Sequence, residues 1–157
     1  MGYAHGRGKF IDAHGNYYEG TFYMSMTHHH GSYVNTEGSS YVGEWKFDKQ
    51  NGKGLEKWAD GSKYEGHYSE GFKHGKGEYW WATDSTHYKG EWDKNKIHGY
   101  GTYTWADGKT YSGYWSANKM DGVGHYEWPE GKIYEGQFQD DKRDGYGFYS
   151  WQDGRKF

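Results

Sequence analysis

The chain has 157 residues, a formal charge of −3 and no cysteine, which excludes disulfides and thiolate sites and supplies no basic field to steer nucleic acid or anionic lipid. Leucine, isoleucine and valine are reduced to Ile11, Val34, Val42, Leu55, Ile97, Val123 and Ile133, while aromatic residues make up 22%, so any core must be built of rings. No apolar run approaches the roughly 20 residues of a membrane span, and Met1 to Phe10 has no signal-peptide core. An ordered, soluble cytoplasmic protein is the expectation.

Self-similarity decides the architecture. Gly6-Arg7-Gly8 belongs to a partial unit over 1–17, after which the pattern Tyr-x-Gly-x-aromatic recurs at Tyr18, Tyr41, Tyr64, Tyr88, Tyr111 and Tyr134. It opens full units over 18–40, 41–63, 64–87, 88–110, 111–133 and 134–156, at steps of 23, 23, 24, 23 and 23 residues. With each of these tyrosines as offset 0, glycines fall at offsets 11 and 13, as in Gly75/Gly77 and Gly99/Gly101. Tryptophan follows at offset 17 as Trp58, Trp81, Trp105, Trp128 and Trp151, and an acidic-Gly turn such as Asp60-Gly61 closes most units. The chain reads as a single array.

The marked offsets within each segment share one parity, and alternate residues of a strand share a face. Each unit is therefore predicted to be two short strands with Tyr, Gly and Trp on one face and residues such as Glu44, Lys89, Glu91 and Glu135 on the other. A loop of roughly six residues, Lys46 to Asn51 for example, is expected between the two strands, and a shorter Asp-Gly turn between units. In the register this suggests, Trp92 faces Gly99, Gly90 faces Gly101 and Tyr88 faces Tyr103, while across the Asp-Gly turn Tyr103 faces Gly113 and Gly101 faces Trp115. Regular glycine in strands then implies rings lying over bare backbone, so that any side chain at Gly101 would clash.

These residues resemble the MORN (membrane occupation and recognition nexus) repeat family, whose unit runs approximately YxGxWxxxxxHGxGxxxxxDGxxY. The match runs from Gly6-Arg7-Gly8 to Phe157, with the His-Gly pair at His74-Gly75 and His98-Gly99. Departures are His29 in place of the first glycine, Glu56 in place of the aromatic at offset 15, and the one-residue insertion at Thr83-Asp84-Ser85-Thr86. The resemblance implies an all-β fold: an elongated, single-layer, twisted antiparallel meander with a groove along one face. It also implies a non-catalytic scaffold of cytoskeletal, ciliary or axonemal assemblies, some members binding helical segments and others reported to dimerise or to associate with phosphoinositides.

A one-faced stripe of rings has no second layer to cover it, and contiguous exposed apolar surface marks an interaction site. The candidate partner-binding residues are Trp45, Trp58, Tyr79, Trp81, Trp92, Tyr103, Trp105, Trp115, Tyr126 and Trp128, expected to hold a partner's helix or extended segment in an aromatic groove. Homo-oligomerisation through the sheet ends is a further expectation. Anionic lipid is the less favoured partner, on Lys46, Lys49, Lys53, Lys73, Lys76, Lys94 and Lys96 along the loop edge. Alternatively, the repeats accompany a larger enzyme. No cofactor, metal, catalytic residue or nucleic acid is expected. His28-His29-His30 alternates faces and reads as solvated, and Asp60, Asp107 and Asp153 are accounted for by their turns. Gly52-Lys53-Gly54 precedes no helix that would make it a phosphate loop.

Overall fold

The computed structural model describes residues 2–82 and 84–157. Its strands are β1 (Gly6–Ile11), β2 (Tyr17–Tyr23), β3 (Met26–Val34), β4 (Ser40–Lys46), β5 (Lys49–Lys57), β6 (Lys63–Ser69), β7 (Phe72–Trp80), β8 (His87–Asp93), β9 (Lys96–Thr104), β10 (Thr110–Ser116), β11 (Lys119–Glu127), β12 (Ile133–Gln139) and β13 (Lys142–Ser150). They form one antiparallel sheet whose strand order is chain order from β1 to β13. This is the hairpin meander that the parity of the repeat predicts. Thr83, part of the insertion, lies outside the described residues; Trp81 N–H donates to Thr86 O at 3.1 Å.

The loop expected over Lys46 to Asn51 is instead a two-residue turn, since β4 runs to Lys46 and β5 resumes at Lys49. Both turn residues have positive φ, 46° at Phe47 and 66° at Asp48, and likewise 45° at Lys94 and 71° at Asn95. That is the type I′ geometry whose twist matches the strands it joins. The second turn position is Ser25, Asp48, Gly71, Asn95, Asn118 or Asp141, all residues suited to a turn and most tolerant of the left-handed region. Each turn is tied to the preceding unit: Asn118 N–H donates to Ile97 O at 2.9 Å, and Asn118 Oδ1 accepts Ile97 N–H at 2.8 Å.

The tight turn changes the register. Gly90 does face Gly101 and Tyr88 faces Tyr103, but Trp92 faces Ile97 rather than Gly99, because a bulge on β9 leaves extra residues between these pairs. Gly99, at φ 88°, belongs to that bulge. Across the Asp-Gly turn the pairs are Tyr103–Tyr111, Gly101–Gly113 and Gly99–Trp115, two residues away from the predicted register. The cause is turn length: the loop between units is shorter than the notional pairing required.

The corrected register lines up one glycine per strand. Gly8, Gly20, Gly31, Gly43, Gly54, Gly66, Gly77, Gly90, Gly101, Gly113, Gly124, Gly136 and Gly147 pair each with the next across the whole sheet. Over this file lie the offset-0 tyrosines, of which Tyr41, Tyr64, Tyr88 and Tyr111 are almost wholly buried. A Cβ built on Gly101 would stand 2.5 Å from Tyr88 Cε2 and closer still to its Cζ and hydroxyl, so the predicted clash at Gly101 is present. The bulge also leaves the offset-3 carbonyl to be capped by the tyrosine hydroxyl: Tyr88 donates to Glu91 O at 2.9 Å and Tyr111 to Tyr114 O at 2.9 Å. Ring, glycine and bulge thus form one repeating device.

Candidate functional site

The ring face divides into two rows. In the inner row, at offsets 0 and 4, each tryptophan stands edge-on to tyrosines, as Trp92 does to Tyr88 at 5.3 Å and to Tyr64 at 5.4 Å. Trp45, Trp92 and Trp115 donate their indole N–H groups to the carbonyls of Gly31, Gly77 and Gly101, each at 3.1 Å. Trp92 and Trp115 are 7% and 6% exposed, so these residues serve the framework. Tyr68, Ile97, Met120 and Phe138 complete the inner row; Ile97 and Met120 had no repeat signature because offset 9 varies from unit to unit.

The other seven candidates form an outer row at offsets 15 and 17, partly exposed along the rim next to the Asp-Gly turns. Trp58, Tyr79, Trp81, Tyr103, Trp105, Tyr126 and Trp128 follow one another at centroid distances of 5.5, 4.5, 5.3, 4.6, 5.5 and 4.5 Å. Tyr149 and Trp151 extend the ladder at 6.5 and 5.9 Å. Their offsets are those of the other rungs, so spacing alone would have found them. Cations rest on the rings: Lys132 Nζ lies 4.6 Å from the Trp128 centroid and 4.9 Å from that of Tyr149.

The ladder starts at Trp58 because Glu56 replaces the ring at the previous rung. Its carboxylate accepts the Tyr68 hydroxyl at 2.6 Å. Lys73, at the position filled by Ile97 and Met120 in later units, turns inward with Nζ 5.2 Å from the Trp58 centroid and 5.7 Å from that of Tyr79. Burial holds its ammonium pKa below the ordinary lysine value, and the charge of Glu56 partly opposes this.

A concavity of about 960 Å³ lies on the opposite face. Its floor is the glycine file from Gly43 to Gly101, and its walls include Val42, Leu55, Glu65, His67, Lys76 and Tyr100. None of the ten predicted rings lines it, so rings and trough occupy different faces. Further along this second face Tyr100, Tyr114 and Val123 are 50%, 52% and 60% exposed; strand parity would have found them. The seven lysines of the lipid reading do not gather: Lys73 is among the rings, Lys53 and Lys76 line the trough, and Lys49 pairs with Glu70 at 3.7 Å.

The turn aspartates are engaged locally. Asp60 Oδ1 accepts Ser62 N–H at 2.8 Å, and Asp107 and Asp153 accept the N–H groups of Lys109 and Arg155 at 3.0 and 3.1 Å. Bonds to the Ser62 side chain, the Lys109 backbone and the Arg155 side chain, respectively, are the leading causes that hold their carboxyls below the usual range. Among the described residues no group of His, Asp and Glu is placed to hold a metal ion.

The model of the MORN repeat matches residues 41–63, 64–86, 88–110, 111–133 and 134–154. The chain belongs to the MORN repeat family. The matched repeats include every rung of the ring ladder from Trp58 to Trp151. Among curated proteins none matches this MORN array in sequence. A solved structure similar to it is that of the "SAS-4 (dCPAP) TCP domain in complex with a Proline Rich Motif of Ana2 (dSTIL) of Drosophila Melanogaster", at 13% identity, covering 96% of this chain and 81% of that one, with a TM-score of 0.49.

Proposed function

We propose that this MORN array is a non-catalytic scaffold that takes a protein partner, as a helix or extended segment, against the outer ring ladder. The observation that supports this reading is the unbroken run of partly exposed rings from Trp58 to Trp151. Tryptophan and tyrosine dominate binding hot spots because they bury a large area at small entropic cost. The inner tryptophans belong to the fold, so the partner is read by offsets 15 and 17. The setting we propose, a cytoplasmic cytoskeletal, ciliary or axonemal assembly, follows from the family resemblance.

The test compares wild type with the triple variant Trp81→Ala/Trp105→Ala/Trp128→Ala, each shown by circular dichroism to be folded. Partners cross-linked and recovered by the wild type are expected to be lost from the variant. Equal recovery by both would remove the ladder as the binding surface. Tagged protein found outside microtubule-based structures would remove the proposed setting while leaving the scaffold reading intact.

A further inference from the structure

The histidines at offset 10 have no part in either ring row. Each instead receives a hydrogen bond from the first turn residue of the following unit. Met24 N–H donates to His5 Nδ1 at 3.3 Å, Phe47 N–H to His28 Nδ1 at 3.3 Å, Lys94 N–H to His74 Nδ1 at 3.4 Å and Ala117 N–H to His98 Nδ1 at 3.3 Å. The four donors are residues held at φ 49°, 46°, 45° and 45°. At one further junction Glu70 N–H donates to Asn51 Oδ1 at 3.4 Å, and at another the offset-10 residue is Asp121. A backbone N–H can only donate, so at His5, His28 and His98 the ring nitrogen it faces must be an unprotonated acceptor, with the imidazole hydrogen on Nε2.

We propose that His5, His28, His74 and His98 make the turn edge of the sheet a pH-sensitive clasp, closed while the imidazoles are neutral and released when they are protonated. Protonation puts a hydrogen on Nδ1, which then opposes the turn N–H and leaves that N–H without its acceptor. Histidine is the side chain whose charge ordinarily changes in the mildly acidic range. Stability from the clasp is present above that range and lost as pH falls through it. Each junction keeps its second tie, such as Asn118 N–H to Ile97 O, together with the glycine file beneath. Acid therefore loosens unit against unit at one edge and leaves the strands paired.

The surroundings make the four junctions unequal. His5 has Tyr23 at 5.5 Å. His28 lies against Tyr23 at 5.5 Å, His29 at 4.4 Å and Phe47 at 4.9 Å, and across from Lys46, one step past the His29–Trp45 pair. Desolvation, then the charges of His29 and Lys46, lower its pKa, in the same sense as the clasp. His98 lies across from Ser116, one step past the Gly99–Trp115 pair. His74 Nδ1 is also 3.3 Å from Asp93 Oδ1, and an ion pair there replaces the lost bond, so that junction yields least. From the first strand of the same hairpin, His67 stands beside Gly75 and Glu91 beside Gly99; the Glu91 carboxylate is taken by Tyr100 N–H at 2.6 Å.

Asn51 supplies the control that the repeat has already made. In the 157-residue protein carrying His5→Asn, His28→Asn, His74→Asn and His98→Asn, the acceptors remain and no longer titrate. Thermal unfolding is measured at pH 7.5 and 5.5 for both proteins. The wild type is expected to lose about 5 °C more than the variant between the two pH values. His87 and His125, which sit beside carboxylates, contribute equally to both. An equal loss in both proteins overturns the proposal. Long-range proton–nitrogen correlation spectra of the wild type at pH 7.5 read the same point without any variant. Nε2–H tautomers at His5, His28 and His98 support the clasp, whereas Nδ1–H at any of them overturns it, including where the fourfold variant does not fold.

Discussion

Replacing Gly101 by alanine adds a single methyl group, yet its cost is expected to be among the largest of any point change in the sheet. Gly101 has an ordinary backbone conformation, so the penalty is steric. The new Cβ would stand 2.5 Å from Tyr88 Cε2 and closer to Cζ and the hydroxyl, against roughly 3.5–4.0 Å for a comfortable carbon contact. Tyr88 has nowhere to go, since it is buried, its hydroxyl is held by Glu91 O, and its ring is edge-on to Trp92 at 5.3 Å and Trp115 at 5.8 Å. Overpacking of this kind costs about 1–3 kcal/mol. Displacing the ring forfeits a hydrogen bond of about 1 kcal/mol and part of two aromatic contacts of about 0.5–1.5 kcal/mol each. The sum is on the order of 3–5 kcal/mol.

The same substitution at Gly8 tests the reasoning from the other side. Gly8 heads the same file, but a Cβ there would meet only Phe22, at 3.5 Å. Gly8→Ala should lie within about 1 kcal/mol of wild type, on the stabilising side. Urea denaturation of the two variants decides the matter. A Gly101→Ala cost below about 1 kcal/mol, or equal costs at the two sites, would show that the tyrosines do not require the glycine file.

His29 occupies the bulge position at φ 61°, where Gly52, Gly75, Gly99, Gly122 and Gly145 stand in the later units. His29→Gly should therefore stabilise the protein by about 0.5–1 kcal/mol, read as an increase in urea midpoint; a lower midpoint would refute the strain. Burial raises the hydroxyl pKa of Tyr41, Tyr64, Tyr68, Tyr88 and Tyr111. A raised folded-state value for an acid means that stability is fully present below the unfolded tyrosine value, near 10, and falls as pH rises beyond it. Tyrosinate absorbance at these residues should appear together with loss of the β-sheet circular dichroism signal; titration near pH 10 with the sheet intact would refute their burial.

The repeat made the hairpin array legible, because a fixed parity at Tyr18, Gly20 and their successors admits only strands. Parity also assigned the ring face and the clash at Gly101. The register was less legible. Offset 7 carries Ser25, Asp48, Gly71, Asn95, Asn118 and Asp141, which signals a two-residue turn, but the variable residues around it resemble a longer loop. Because a turn's length sets the position of every pair beyond it, that turn moves Trp92 to Ile97, as the short loop between units moves Trp115 to Gly99. The turn also hid the division of the rings: whether a tryptophan is framework or surface depends on the carbonyl its indole reaches, Gly77 for Trp92 and Gly101 for Trp115. The trough escaped because its floor is glycine backbone, and a missing side chain leaves no mark on the face that it opens.

Strand order that follows chain order has a consequence for how the sheet is reached from the unfolded chain. Among the described residues no ladder closes a long loop: among the widest pairings are Tyr17 with Val34 and Thr110 with Glu127, each 17 residues apart. All-β proteins are ordinarily slow folders because distant segments must meet before any contact rewards them. Here the separation of paired residues is on the order of a tenth of the chain, in the range typical of helical bundles. Any one hairpin can nucleate the sheet and its neighbours can join by local search, so assembly should proceed as a zipper and not as a search among distant strands.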